Sequence, residues 1–225
     1  MESRVGEGEK VGRDFDDSAC EFCEDYKKAG LSRSSKILFD LLVEDGVKDK
    51  SVLELGSGAG GFSIELLRHG ASNVVGIDLS PEMVKVATEL SRESGFGDRA
   101  KFEQGNGAIA SLPRVDIVIM DKVICCYSDI GSLLKNATGA SQSIVGFVAP
   151  RGEGLLKWPL RFGVWIVNIV EKRRHRILFY VHSLEKLEKT LQDSGFTLQK
   201  KRGSRMWLGF FYKLNSQSQM ITILG

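Results

Sequence analysis

Helical and strand-like patterns alternate along most of the chain. Apolar residues recur at intervals of three and four where helices are predicted, and they form short continuous runs where buried strands are predicted. The predicted helices cover 37–42, 62–69, 83–93 and 184–194. The predicted strands cover 51–55, 73–79, 100–104, 115–120 and 143–148, and a predicted hairpin covers 196–201 and 206–213. Five strand–helix units followed by an antiparallel pair predict an α/β fold.

The same pattern predicts one domain with an added segment. The chain has 225 residues, which exceeds the usual size of a domain by about half. Residues 1–18 are charged and contain few apolar positions, so we expect a disordered arm there, and the polar residues 215–225 predict a flexible tail. Between them, 19–214 form the predicted domain, with a helical insertion at about 151–182.

Composition and charge exclude several classes of protein. Hydrophobic residues make up 42% of the chain and charged residues 27%, which excludes a wholly disordered chain, a fibre and a multi-span membrane protein. The formal net charge of +2 is too small to predict nucleic-acid or membrane binding from the overall field, so any basic function must be local. The first residues do not form a signal-peptide pattern, and a cytoplasmic location is therefore expected.

The four cysteines do not predict a metal site. Cys20 and Cys23 are spaced as half of a zinc site, but Cys125 and Cys126 are adjacent, which makes a poor second half. No histidine lies close in sequence to either pair. We therefore expect reduced, packed thiols.

A glycine-rich turn follows the first predicted strand. Gly56, Gly58, Gly60 and Gly61 stand where the chain passes from strand to helix, and there the helix N-terminus offers free N–H groups to a ligand. Gly56, Gly58 and Gly61 also satisfy the dinucleotide pattern G-x-G-x-x-G. At this stage a nicotinamide-dinucleotide-binding oxidoreductase is a real alternative.

Two further strand ends carry polar side chains. Asp78 ends the second strand, where a carboxylate accepts hydrogen bonds from both hydroxyls of a ribose in either kind of enzyme. Asn106 and Gly107 follow the third strand, where an amide and exposed backbone can bind the edge of an adenine. This third feature separates the two interpretations.

Residues 54–60 (Glu-x-Gly-x-Gly-x-Gly), 77–83 and 116–121 together resemble the motifs of class I S-adenosylmethionine-dependent methyltransferases. The resemblance spans roughly 47–148, and its layout is nearest the small-molecule enzymes of quinone and Mg-protoporphyrin biosynthesis. It implies a Rossmann-like, seven-stranded, mostly parallel sheet with an antiparallel last strand and helices on both faces. It also implies S-adenosylmethionine as the cofactor.

The resemblance further implies a set of cofactor-binding residues. In the family the glycine turn lines the methionine end, Asp78 holds the ribose, Leu79 and Met83 pack near the adenine, and Asn106 with Gly107 binds its edge. The family often has Asp where this chain has Asn106. The implied set is Glu54, Gly56, Ser57, Gly58, Gly60, Asp78, Leu79, Met83, Asn106, Gly107 and Asp121.

The insertion after the fifth strand bears on the methyl acceptor. Its apolar residues Trp158, Phe162, Trp165, Ile166, Ile169 and Val170 fall on one helical face, and Lys157, Arg161, Asn168 and Lys172 fall on the other. The segment is too short and too charged to span a bilayer. It is interpreted as a lid packed on the domain, with a helix of 155–176 lying at a membrane surface as the alternative.

These features predict a small, apolar or flat anionic metabolite as the acceptor. The chain lacks the Asn/Asp-Pro-Pro-aromatic tetrapeptide after its fourth strand, which argues against methylation of an adenine or glutamine amino group. An RNA or protein acceptor, bound through 172–176 and the cations at 200–205, stays as an alternative, although no nucleic-acid partner is expected. The oligomeric state is left open.

His182 and Tyr127 are the candidate catalytic residues. His182 immediately precedes the predicted cap Ser183, and its imidazole is able to accept a proton from a hydroxyl or amine acceptor. Tyr127, with Tyr26 and Tyr180, is a candidate for the wall of the pocket. The alternative role for each is packing or a polar contact.

Overall fold

One sheet organises the part of the chain that the computed structural model describes, residues 10–151, 157–173 and 179–215. Its strands are β1 (Ser51–Leu55), β2 (Asn73–Asp78), β3 (Ala100–Gln104), β4 (Val115–Met120), β5 (Ser141–Pro150), β6 (Phe196–Gly203) and β7 (Trp207–Leu214). Their spatial order is β3-β2-β1-β4-β5-β7-β6. Strands β1 to β5 pair in parallel, whereas β7 is antiparallel to both β5 and β6. The predicted fold class is confirmed.

Helices connect and cover the strands. They are α1 (residues 10–16), α2 (Ala19–Ala29), α3 (Arg33–Asp45), α4 (Gly61–Arg68), α5 (Pro81–Glu93), α6 (Ile130–Ala140), α7 (Lys157–Arg173) and α8 (Leu184–Asp193), with a 3-10 turn at Ile124–Cys126. Helix α5 begins as its sequence predicts, because Ser80 accepts a hydrogen bond from the Met83 N–H at 3.0 Å and Pro81 follows. Ser183 occupies the N-cap of α8, but its side chain makes no capping bond there.

Two apolar cores lie on the two faces of the sheet. Alternate residues of β4 contribute to one core or the other, because successive side chains of a strand point to opposite faces of the sheet. Val118 and Met120 belong to the core that α6 and α8 cover, and Ile117 and Ile119 belong to the core under α3 and α4. The continuous apolar run in β4 is therefore the mark of a strand buried on both sides.

The N-terminal region corrects one expectation. Sequence predicts a disordered arm over 1–18, but residues 10–16 are helical and Val11 is buried. Residues 1–9 lie outside the described part. Apolar residues recur at every fourth position, at Val11, Phe15, Ala19 and Cys23. On a helix they form a single narrow row surrounded by many charged residues, which is a weak helical signal. This narrow stripe packs beside the sheet edge, where Gly12 closely approaches Leu79.

The insertion contains the predicted helix but not the predicted packing. The apolar side chains that a packed lid would bury, Trp158, Phe162, Trp165 and Ile166, are exposed on α7. Residues 152–156 and 174–178 of the insertion, and 216–225 of the predicted tail, lie outside the described residues. None of the described helices could serve as a transmembrane span.

Candidate functional site

The glycine turn after β1 has a backbone that only glycine adopts without strain. Gly56, Gly58 and Gly60 have φ angles of 72°, 51° and 82°, all in the left-handed region. A Cβ atom added to Gly56 would overlap the side chain of Val123, which follows β4. The turn is therefore held by the ends of β1, β2 and β4. The N–H groups of Gly56, Ser57, Gly58 and Gly60 all donate hydrogen bonds within the protein, to Ile77, Asp78 and the turn itself.

Asp78, at the tip of β2, is held by backbone groups. Its Oδ2 accepts a hydrogen bond from the Gly58 N–H at 2.8 Å, and its Oδ1 accepts one from the Ser80 N–H at 2.9 Å. Burial raises the pKa of this carboxyl, while the two backbone donors act in the opposite direction. Each oxygen has a second lone pair, so the carboxylate can accept further bonds from a ligand.

Glu54, on β1, is a fully buried carboxyl. Its Oε2 accepts a hydrogen bond from the Ser63 Oγ at 2.5 Å. Burial, helped by the nearby charges of Asp121 and Asp78, raises its pKa to about 8 against the opposing effect of Ser63. Three carboxyl groups from three adjacent strands thus share one region of negative potential.

Asp121, directly after β4, completes that group. Its Oδ2 accepts a hydrogen bond from the Ser35 Oγ at 2.6 Å, and the Lys122 Nζ lies 3.8 Å from the same oxygen. Burial raises the pKa of this carboxyl, while Lys122 and Ser35 lower it. Lys122 itself has a φ of 61°, a conformation rare for a non-glycine residue and common at binding sites.

A cavity of about 550 Å³ opens at these strand ends. Its size is in the ordinary range for small-molecule sites. It is lined by nine of the eleven residues predicted to bind cofactor, together with the candidate Tyr127: Glu54, Gly56, Ser57, Gly58, Asp78, Leu79, Met83, Gly107 and Asp121. The sequence motifs therefore mark one contiguous surface.

Two polar atoms in this cavity wall are ready to bind a ligand. Within the described residues, the Ser57 Oγ and the Asp121 Oδ1 are buried without a hydrogen-bond partner. A buried polar atom left unpaired costs about 1–3 kcal/mol of stability. A ligand that offers a donor to Asp121 and a partner to Ser57 would remove that cost.

Two of the predicted cofactor residues, Gly60 and Asn106, do not line the cavity. Gly60 caps α4 and faces Ala87. The Oδ1 of Asn106 accepts hydrogen bonds from the Ala108 N–H at 3.0 Å and from the Tyr127 hydroxyl. Gly107 lines the cavity, and the binding roles predicted for Gly60 and Asn106 stay predictions.

His182 lies behind Tyr127. Its Nε2 is 2.8 Å from the Tyr127 carbonyl oxygen, to which it donates a hydrogen bond, and its ring stacks on Tyr180 with centroids 5.7 Å apart. Burial lowers its pKa below the ordinary value, so the ring is neutral at pH 7. Its side chain does not line the cavity, and it contacts the backbone of Tyr127, which does.

Several lining residues were missed by sequence reasoning. They come from α1, α2 and the segments after them, and from the ends of the insertion and hairpin: Val11, Phe15, Phe22, Leu31, Ser32, Ser35, Phe179 and Trp207. The i, i+4 stripe of α1 and α2 was the one available signal. Tyr26, named as a wall candidate, does line the cavity and donates its hydroxyl to Glu65 at 2.8 Å.

A family model described as Methyltransferase domain matches residues 47–201 of this chain. Over 80 residues the chain is 38% identical to Protein arginine N-methyltransferase 1 of Saccharomyces cerevisiae, a match that covers 35% of this chain and 23% of that protein. Over 73 residues it is 32% identical to Ribosomal protein L11 methyltransferase of Haemophilus influenzae, covering 32% of this chain and 24% of that protein. Each match spans about a quarter of the relative's length.

Solved structures share the fold over most of the chain. Magnesium protoporphyrin IX methyltransferase from Synechocystis, with bound SAH, superposes with a TM-score of 0.65 at 20% identity and covers 81% of this chain and 82% of that one. An O-methyltransferase family 2 protein from Planctomyces limnophilus, in complex with apigenin, gives a TM-score of 0.69 at 16% identity and covers 89% and 62%. At these identities the likeness establishes the fold.

Proposed function

The chain belongs to the Methyltransferase domain family, and on that premise we propose that it transfers a methyl group from S-adenosylmethionine to a small, apolar or flat anionic metabolite. The observation that carries the proposal is the convergence of Glu54, Asp78 and Asp121 on one cavity beside the glycine turn. Clustered, buried carboxyls favour a cationic ligand, because each carboxylate gains from a nearby positive charge. Family membership also favours this reading over a dinucleotide oxidoreductase.

The cavity wall fits the proposed cofactor. When bound, S-adenosylmethionine supplies a methyl group on a positively charged sulfur, ready for in-line displacement. Asp78 would accept hydrogen bonds from the ribose hydroxyls, and the unpaired Oδ1 of Asp121 would accept one from the ammonium group. The space beside Gly58 is open, so a ligand can approach the backbone of the turn there.

The rest of the cavity suits a lipophilic acceptor. Phe22, Tyr127, Phe179 and Trp207 present aromatic surface there. Lys122 also lines this space, and its Nζ lies 3.4 Å from the Ser32 Oγ. An aromatic wall beside one ammonium group favours a flat or apolar molecule that carries a negative group.

The cations of the β6–β7 hairpin give little support to an RNA acceptor. Arg202 and Lys200 lie 2.8 Å and 3.7 Å from Glu44, and Lys213 lies 2.8 Å from Asp45, both at the end of α3. These acidic partners offset the positive field that phosphate binding requires.

Methyl transfer in this site would rest on positioning. Enclosure of the reacting groups excludes water and holds them in line, which is the main source of acceleration for such displacements. His182 would position Tyr127 through its hydrogen bond to the Tyr127 carbonyl, and Tyr127 would contact the acceptor from the cavity wall. A proton released by the acceptor would leave through the polar groups of this wall.

Titration calorimetry tests the cofactor. S-adenosylmethionine should bind and NADH should not. Asp78→Ala should weaken binding by about 10- to 150-fold, since a hydrogen bond to a charged group contributes roughly 1.5–3 kcal/mol. Asp98→Ala, at an exposed position away from the cavity, is the matched control and should bind normally. NADH binding without S-adenosylmethionine binding would overturn the proposal.

A labelling experiment tests the acceptor. The protein and methyl-labelled S-adenosylmethionine are added separately to the metabolite, RNA and protein fractions of a cell extract. Label should enter the metabolite fraction, in a species that partitions into organic solvent at acidic pH. Label confined to the RNA or protein fraction would overturn the small-molecule acceptor while leaving the cofactor intact.

A further inference from the structure

Helix α7 carries the largest group of exposed apolar side chains among the described residues. Trp158 is 76% exposed, Phe162 61%, Trp165 58%, Ile166 44% and Ile169 37%. We call these five side chains the α7 apolar face. Val167, at 43% exposure, lies on the opposite side of α7, and the remaining large apolar residues with high exposure stand singly on different elements, at Phe22, Val43, Ile109 and Met206. A contiguous exposed apolar surface of this kind marks a binding surface.

The five side chains lie on one side of the helix. Their spacing of three and four residues keeps them within one stripe, because an α-helix has 3.6 residues per turn. The rings of Phe162 and Trp165 stack with centroids 5.7 Å apart. The stripe is therefore a continuous ridge that begins and ends in α7.

The helix is attached to the domain from a different side. Asn168, on the flank of the stripe, donates from its Nδ2 to the Phe179 carbonyl at 2.7 Å and accepts from the Phe179 N–H at 2.8 Å. This paired hydrogen bond ties α7 to the returning chain and leaves the apolar face pointing away from its attachment.

The charge of this segment identifies the partner. Over the residues of α7, 157–173, the sequence contains four Lys and Arg residues and one acidic residue, Glu171. Tryptophan and phenylalanine beside lysine and arginine are the composition of helices that lie in the plane of a membrane interface. We propose that the α7 apolar face docks onto the surface of an anionic phospholipid bilayer.

Charge also argues against a second copy as the occupant. A symmetric dimer through this face would bring the cationic segments of both chains into one interface, where like charges repel. A bilayer that contains anionic lipids attracts the same cations, at about 1 kcal/mol for each one near the surface.

Docking in this way would bring the cavity close to the bilayer. Phe179, which Asn168 holds, is also part of the cavity wall. A lipophilic acceptor could then pass from the membrane to the cavity with little exposure to water. This last step rests on the proposed function, whereas the docking itself does not.

Vesicle sedimentation of the full chain tests the proposal. At low salt the protein should sediment with vesicles of phosphatidylcholine and phosphatidylserine, and at least about tenfold less with phosphatidylcholine alone. Salt near 1 M should release it from the mixed vesicles, since the Debye length falls to about 3 Å. Failure to bind the mixed vesicles at low salt overturns the proposal, and so does equal binding to both vesicle types.

A variant with Trp158→Ser, Phe162→Ser and Trp165→Ser should bind the mixed vesicles about 100-fold more weakly, because three aromatic side chains no longer enter the interface. The matched control, Ile109→Ser with Met206→Ser, should bind normally. Undiminished binding by the triple variant overturns the proposal. Light scattering that shows a dimer in the wild type and a monomer in the triple variant also overturns it, in favour of a second copy. Calorimetry with S-adenosylmethionine on the same samples reports separately on the proposed function and on folding.

Discussion

The glycine turn and helix α7 differ in how many contacts hold them. The turn lies between β1 and α4 and packs against the loop after β4, and its backbone is bonded to the carboxylate of Asp78. Among the described side chains of α7, that of Asn168 is hydrogen-bonded to the rest of the domain. The apolar face of the helix is exposed. The glycine turn is thus built into the core, whereas the apolar face of α7 is exposed to solvent.

If burial keeps water away from the turn region, as the raised pKa of Glu54 indicates, the free energy of unfolding should fall as the pH rises. The folded pKa of Glu54, about 8, is raised above its unfolded value by burial, so the stabilisation is complete below the unfolded pKa and is lost as the pH rises through 8. Urea unfolding should show a loss of up to about 4 kcal/mol between about pH 5 and pH 8, at roughly 1.4 kcal/mol per unit.

Glu54→Gln should remove most of this pH dependence, because the amide does not ionise. The exposed Glu82→Gln serves as the control and should keep the full slope. An unchanged slope in Glu54→Gln would mean that Glu54 is ionised and solvated in the folded protein, and the contrast between the two regions would weaken.

A methyl group at Gly56 tests how tightly the turn is held. Gly56→Ala combines a left-handed φ with an overlap at Val123, so it should lower the free energy of unfolding by about 3 kcal/mol. Gly95→Ala is the matched control, since Gly95 has a φ of 78° and open space around it, and it should lose only about 1 kcal/mol. Equal losses by chemical denaturation would show that packing against the β4 loop contributes nothing.

Substitutions of His182 test whether this residue positions the loop after β4 through its hydrogen bond to Tyr127. His182→Ala should lower turnover, measured with the acceptor found by labelling, by about tenfold through displacement of Tyr127, with unchanged affinity for S-adenosylmethionine. His182→Gln should recover most of the turnover, because its amide can donate to the same carbonyl. A general base would instead lose about 100-fold in both variants, and would also shift the pH profile of turnover.

The smallest effect is expected in α7. Asn168→Ala removes the paired hydrogen bond to Phe179 and should change the global free energy of unfolding by no more than about 1 kcal/mol. Limited proteolysis should nevertheless cut the insertion faster, because local opening becomes easier. Asn168→Asp still accepts a hydrogen bond from the Phe179 N–H, so its insertion should be cut at a rate between those of the wild type and Asn168→Ala. A cooperative loss of several kcal/mol would show that α7 is part of the core after all.

Much of this architecture could be predicted from local patterns. The strands are short apolar runs, and the helices carry their own signals, such as Ser80 and Pro81 at the start of α5. The position of the cavity could also be predicted, because the ends of parallel strands meet at one edge of a sheet and the motifs at 54–60 and 78 mark two of those ends.

Other features depend on contacts between distant segments. The helix of residues 10–16 has only a narrow apolar stripe. That stripe becomes a packing surface only when the folded chain places Leu79 beside it. Asn106 carries the residue type expected of an adenine contact, yet its oxygen is taken by Ala108 and Tyr127. A side chain's role depends on its partners, and these partners lie two and 21 residues away.

The sequence by itself determined the α/β fold, the order of the seven strands and the glycine and carboxylate motifs, because these follow from hydrophobic period and from the chemistry of adjacent residues. The helices α1, α2 and α6 did not emerge from those patterns. The tertiary structure alone decided that Glu54 is buried beside Asp78 and Asp121, that His182 stands behind Tyr127, and that the apolar face of α7 stays uncovered. An amphipathic helix shows which of its sides is apolar, but only the arrangement of the rest of the chain decides whether that side finds a surface to bury it.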